Sequence, residues 1–162
     1  MSKRIPLRNN VGEIRAYAEV DDEDFDRVNK YKWHLTSLGR ARSVIGGYLH
    51  NFIMGLRGVD HRNRVPLDCQ KRNLRPATQA QNLQNRAKNR RNTSGFKGVC
   101  RMGKSRWQAR IGYQGTKIWL GTFDNPRDAA KAYDAAAKKY YGEFACTNFP
   151  RRYPRLPRYP RL

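Results

Sequence analysis

Asp60 and His61 stand side by side ahead of a polar loop, and Asn73 and Asn82 follow downstream. A carboxylate and an amide oxygen are hard donors suited to a divalent cation that keeps most of its waters, such as Mg²⁺ or Mn²⁺. A histidine beside them, with an ordinary pKa near neutrality, can take a proton from water at cellular pH. Together they form a single-metal phosphodiester hydrolase in outline, with Asp60 and Asn82 as metal ligands and His61 as general base. A lone Asp-His pair is common and structural; chemistry requires the helix to pack across the two strands so that Asp60 and Asn82 converge.

These residues need a scaffold. Strand alternation would point Asp60 and His61 to opposite faces unless the strand ends there. The expected order from Val59 is strand, long loop, short strand, then a helix to about Lys88. Thr78 and Gln81 occupy the positions of a capping box at the start of that helix. Upstream, Ile5–Leu7 and Ile14–Ala18 flank the turn-prone Asn9–Gly12, which predicts a hairpin. Asp21–Asp24 open a helix through Asn29, where carboxylates complement the helix dipole, so this acidic run reads as a helix start and not a metal cluster. Lys32–Thr36 and Arg40–Val44 read as paired strands, and Tyr48–Met54 as a helix stopped by Gly55. His34 and His50 have no matching partners; His34 reads as a packing or surface residue, and the role of His50 stays open.

The run Val59-Asp60-His61-Arg62-Asn63, Leu67-Asp68, Asn73-Leu74-Arg75 and Thr78-Gln79-Ala80-Gln81-Asn82 resembles the HNH, or ββα-metal, endonucleases of phages and mobile introns. Tyr31–His34 and Tyr48–Gly55 are similar to the segments that precede the motif in that family. The resemblance covers residues 1–88, with the ββα-metal core at about 59–88. It implies metal ligation by Asp60 and Asn82, a general base at His61, and Asn73 as the central asparagine that buttresses the loop. The sequence departs from the family in two places. Its loop, Arg62-Asn63-Arg64-Val65-Pro66, lacks the usual glycines, which tolerate positive φ, and Cys69 stands where an asparagine is usual.

Residues 89–93 read as a basic linker. Beyond it, Gly98–Arg101, Trp107–Tyr113 and Thr116–Thr122 read as three strands, with a tight hairpin at Gln114-Gly115. Asn125-Pro126 starts a helix that ends at Gly142, with Ala129, Ala130, Tyr133, Ala136, Ala137 and Tyr140 on one face. Alternation puts Trp107, Ala109 and Ile111 against that helix and leaves Arg110, Lys117 and Trp119 on the open face. Residues 94–150, including Ser94–Val99, Trp119–Phe123 and Tyr141–Phe149, are similar to an AP2 domain. That resemblance implies a sheet that enters the DNA major groove, with Lys97, Arg101, Arg110, Lys117 and Trp119 as DNA-binding positions. Arg101 and Met102 fall in the first turn. Arg90 and Arg91 of the linker join the DNA-binding candidates. Arg110 stands where plant members usually carry Glu, so base preference does not transfer.

The expected class is thus α+β, an HNH module followed by an AP2 module. Charge agrees with a nucleic-acid partner. The 162 residues carry a formal charge of +21, and 18 of those net charges lie after Val59. Such an excess attracts double-stranded DNA through counterion release. RNA is the weaker partner because no RNP-like aromatic motif is present. No apolar run suggests a membrane partner, and no protein partner is implied. Three scattered cysteines without a CxxC pair suggest neither structural zinc nor a disulfide framework. The expected setting is the cytoplasm of a bacterial or phage-infected cell. Residues 151–162 repeat Arg-Tyr-Pro-Arg-Leu and read as a basic, disordered tail. The rival reading is a non-catalytic DNA-binding regulator with a relict HNH fold.

Overall fold

In a computed structural model that describes residues 1–150, the chain divides into two compact units, Met1–Asn82 and 83–150. The expected tail at 151–162 lies outside the described residues.

The first unit begins with an antiparallel hairpin, β1 (Ser2–Arg8) and β2 (Ile14–Asp21), at the expected turn. Alternation buries Ile5 and Leu7 on one strand and Ala18 and Val20 on the other, the inner face of the core. Helix α1 (Asp22–Asn29) follows, with Asp22, Glu23 and Asp24 in its first turn. Asp21 occupies the N-cap position without capping. Its carboxylate instead accepts from Lys71 N at 2.7 Å and Gln70 Nε2 at 3.3 Å. Asp24, 3% exposed, is paired with Arg27 at 2.6 Å and Lys71 at 3.3 Å. The acidic run therefore serves the helix start and also clamps a distant segment.

A small three-stranded sheet comes next, β3 (His34–Leu35), β4 (Ala41–Ser43) and β5 (Gly47–Tyr48), leading into α2 (Leu49–Met54). Both expected strands are shorter than the sequence suggested. Gly55 ends α2 in the left-handed region at φ 66°, as its glycine permits. Trp33 fills the centre of the core and donates from its indole N–H to Val28 O at 2.9 Å. The unit closes with β6 (Val59–His61), a long loop, a 3₁₀ turn (Lys71–Asn73), β7 (Leu74–Pro76) and α3 (Gln79–Gln84).

Helix α3 has only six residues and stops short of the expected Lys88. The reason is compositional. None of its residues is buried, and Leu83 is 55% exposed, so no apolar face rewards further turns. Its start is firm: Thr78 N donates to Gln81 Oε1 at 2.8 Å and Gln81 N to Thr78 Oγ1 at 3.2 Å, a reciprocal capping box.

The second unit is a three-stranded antiparallel sheet, β8 (Val99–Met102), β9 (Arg106–Tyr113) and β10 (Thr116–Phe123), with β9 central. Helix α4 (Pro126–Tyr141) lies on one face, and Asn125 accepts from Arg127 N at 2.8 Å as its N-cap. Ala129, Ala130 and Ala137 are fully buried, small enough for close helix–sheet approach. The buried Asp134 accepts from Asn148 N at 2.7 Å and Phe149 N at 2.8 Å, tying the following segment to the helix. No helix among the described residues is long and apolar enough to cross a membrane.

Gly98, just before β8, packs against Tyr133 of α4. It sits at φ +74°, and a Cβ there would lie 1.9 Å from the Tyr133 ring. Both the backbone and the packing oppose a side chain. Gly98→Ala should lower stability by about 2–4 kcal/mol, read as an earlier thermal transition of the full chain by circular dichroism. An unchanged melting curve would contradict this packing.

Candidate functional site

Strand β6 pairs with β7 so that Asp60 faces Arg75 and His61 faces Leu74. Asp60 and Arg75 are 6% and 4% exposed. Arg75 donates to Asp60 Oδ2 from Nε at 3.0 Å and from Nη2 at 2.7 Å. Sequence reasoning missed this partner; its signal was a lone arginine in a short strand antiparallel to the aspartate.

His61 ends β6 and is 8% exposed. Its ring meets the edge of His50 at 4.9 Å, and Cys69 Sγ lies 3.8 Å from its Nε2. Burial, and then the charge of Arg40, lowers its pKa to about 4. His50 is pushed down to about 3 by burial first, then by His61 and Arg40. Both imidazoles are therefore neutral at pH 7. Burial lifts the Cys69 thiol to about 12, so it stays protonated and inert as a nucleophile. The open question of His50 is settled in part: it is buried and packs against His61, and is no surface residue. His34 is half-buried on β3.

Asn73 draws the loop between β6 and β7 together. Its Nδ2 donates to Asp68 O at 2.7 Å, and its Oδ1 accepts from Asn63 N at 3.0 Å. Asn63 in turn donates to Asp68 Oδ2 at 2.7 Å. Segment 67–69 is fixed on the edge of β2, where Glu19 N donates to Leu67 O at 2.7 Å and Cys69 N to Glu19 O at 2.8 Å. The missing glycines are accommodated simply: the loop's positive φ, 63°, falls on Arg64, so Val65 and Pro66 keep ordinary backbone. Asn82 is half-buried on α3, in the same unit as Asp60 and His61.

Asp60 on β6 carries a carboxylate and Asn82 on α3 an amide oxygen, donor types that a hard divalent cation takes, and the Asp60 carboxylate is already bonded to Arg75. Among the described residues no group of three His, Cys, Asp or Glu side chains could hold a metal. Cys69, Cys100 and Cys146 are free thiols.

In the second unit the strand register sorts the cationic candidates. Arg110, Lys117 and Trp119 are exposed, and Trp119 pairs directly with Arg110 across β10 and β9. The same alternation puts Cys100, Met102 and Gln108 on that open face. Arg110 Nη2 lies 3.1 Å from Cys100 Sγ. Arg101 and Met102 are strand residues, not turn residues. Arg101 pairs with Trp107, and its guanidinium sits 6.0 Å from that ring, on the side of the sheet that bears Val99. It is thus separated from the open face by alternation. Trp107 packs against the Ala129–Ala130 cluster, as expected. Lys97 is engaged locally: its Nζ donates to Gln84 O at 2.7 Å and Arg86 O at 2.6 Å. Arg90 and Arg91 are exposed in a turn, where Arg91 N donates to Asn89 Oδ1 at 3.0 Å.

A protein of two α+β units results, one holding a buried carboxylate–histidine strand end and the other a helix-backed sheet with a cationic open face. Known proteins of two kinds are similar to this chain. The chain is 31% identical over 144 residues to an uncharacterized HNH endonuclease of Acanthamoeba polyphaga mimivirus, covering 82% of this chain and 75% of that protein. It belongs to one family with that viral protein. A rice AP2/ERF and B3 domain-containing protein (Oryza sativa subsp. japonica) is 47% identical over 58 residues, 36% of this chain. The dehydration-responsive element-binding protein 2D of Arabidopsis thaliana is 44% identical over 70 residues, 40% of this chain. The ethylene-responsive transcription factor 3 of Nicotiana tabacum is 49% identical over 57 residues, 34% of this chain. The matches span only 16%, 34% and 25% of these three plant proteins. No family model matches the chain.

Arg75→Met should cost about 3–5 kcal/mol by stranding a buried carboxylate. Combining it with Asp60→Asn should recover much of that loss. Urea denaturation of both single variants and the double variant measures the coupling; purely additive losses would show that the pair does not interact.

Proposed function

We propose that this protein is a metal-dependent endonuclease that hydrolyses a phosphodiester of double-stranded DNA. The first unit would be an HNH module and the second an AP2 module that holds the duplex. The observation that carries the reading is the arrangement of β6, loop, β7 and capped α3. Asp60 and His61 lie on β6, Asn73 closes the loop that leads to β7, and Asn82 follows on α3, six residues after Pro76. The likeness to the viral protein over 82% of this chain supports it.

In this mechanism His61, kept neutral by burial, accepts a proton from water as the water oxygen bonds to phosphorus. The bond from phosphorus to the 3′ oxygen breaks, that oxygen takes a proton from solvent, and the products carry 5′-phosphate and 3′-hydroxyl ends. When bound by Asp60 and Asn82, Mg²⁺ or Mn²⁺ supplies Lewis-acid stabilisation of charge on the phosphate and the leaving oxygen. Asn73 positions His61 through the loop it closes. On the second unit, Arg110, Lys117 and Trp119 meet the major groove, where arginine pairs naturally with guanine edges. Arg90 and Arg91 add phosphate contacts.

A second reading, a DNA-binding regulator with a relict nuclease fold, is favoured by one observation: Asp60 is already paired with Arg75.

A supercoiled plasmid decides between them. The nuclease reading expects nicked circles with Mg²⁺ or Mn²⁺, none with EDTA, and at least about a 100-fold loss in His61→Ala. Retained DNA binding without cleavage, across plasmids and genomic fragments, supports the relict reading. Separately, Arg110→Ala with Trp119→Ala should weaken duplex binding by about 10-fold or more; unchanged affinity in a gel-shift titration would remove the sheet from the interface.

A further inference from the structure

The turn between β4 and β5 carries two adjacent apolar side chains in full view of solvent. Val44 is 93% exposed and Ile45 is 83% exposed. Tips of this kind ordinarily carry Gly, Asn, Asp or Ser, and Gly47, at φ 66°, already meets the backbone demand here. The two apolar residues therefore serve neither the turn nor the core. Their shoulders are cationic: Arg40 and Arg42 are both exposed.

The tip is also connected to the candidate base. The Arg42 guanidinium lies 5.7 Å from the Tyr48 ring, Tyr48 stacks on His50 at 5.5 Å, and His50 meets His61 at 4.9 Å. The tip is held at both roots, by the buried Ala41 and Ser43 on β4 and by Leu49 and His50 at the start of α2. Strand geometry then keeps Ile45 within roughly 20 Å of the His61 ring.

We propose that Val44 and Ile45 form a wedge that enters the minor groove of duplex DNA beside the scissile phosphate and unstacks a base step. The inference rests on the nuclease reading above. A duplex whose phosphate reaches Asp60 and His61 must lie close to this tip. The arginines attract its backbone, and apolar side chains are the means by which groove-binding proteins part stacked bases. Two residues are too little surface for a specific protein interface, and the flanking arginines favour a polyanion. At 3.4 Å per base along a strand, the parted step lies within about six base pairs of the cut.

The test uses the full chain. The cut made by the wild type is first mapped, and 2-aminopurine is then placed at each step within six base pairs of it. Fluorescence is read in EDTA, so that no cleavage intervenes. The wild type should brighten one step several-fold. Val44→Ser with Ile45→Ser should abolish that signal, reduce cleavage about 10-fold, and leave the melting temperature unchanged, since both side chains are solvent-exposed; Ile45→Leu should retain the signal. A double variant that brightens the step equally, or a wild type that brightens none while still cutting, overturns the wedge alone. A wild type that cuts no DNA overturns the nuclease reading and the wedge with it.

Discussion

Two opposite charges, each more than nine-tenths buried, face one another across β6 and β7, and the candidate site is built outward from them. A carboxylate in that setting cannot stay ionised cheaply without a partner, so Asp60 and Arg75 fix the pairing register. A slip of one residue would turn both to the opposite face. With the register set, His61 falls at the strand end against His50 of α2. Arg62 N then meets Asn73 O at 2.8 Å, which begins the loop and ends it at the same point.

That loop is closed by side-chain hydrogen bonds. Glycines would make such a turn easy. Here the left-handed conformation falls on Arg64, and amide and carboxylate groups do the rest: Asn63, Asn73 and Asp68 bond one another and the backbone between them. Cys69 stands where an asparagine is usual, yet its backbone N–H is spent on β2 and its thiol is buried against His61.

Much of this was legible in the chain. The hairpin at Asn9–Gly12, the glycine stop of α2, the Thr78–Gln81 capping box and the Asn125-Pro126 helix start all depend on neighbours in sequence, and each is found in place. What escaped depends on partners distant in sequence. Asp21 looks like a helix cap until Lys71, fifty residues on, takes its carboxylate. Lys97 looks like a free cation until the carbonyls of Gln84 and Arg86 turn towards it. Helix α3 has polar residues suited to continue, and it ends because nothing apolar holds it. Asp60, His61, Asn73 and Asn82 could be picked out as candidates from the sequence, whereas Arg75 and the placement of His50 required the register of β6 on β7.

The sheet of the second unit has two faces with different obligations. Ala109, Ile111 and Val99 are closed against α4, where even a methyl at Gly98 does not fit. Arg110, Lys117 and Trp119 on the other side contribute nothing to that packing. Substitutions there carry little folding penalty. A lineage can therefore rewrite the outward surface many times over while inheriting the same scaffold, so that what the sheet recognises and whether it folds are inherited almost as separate traits.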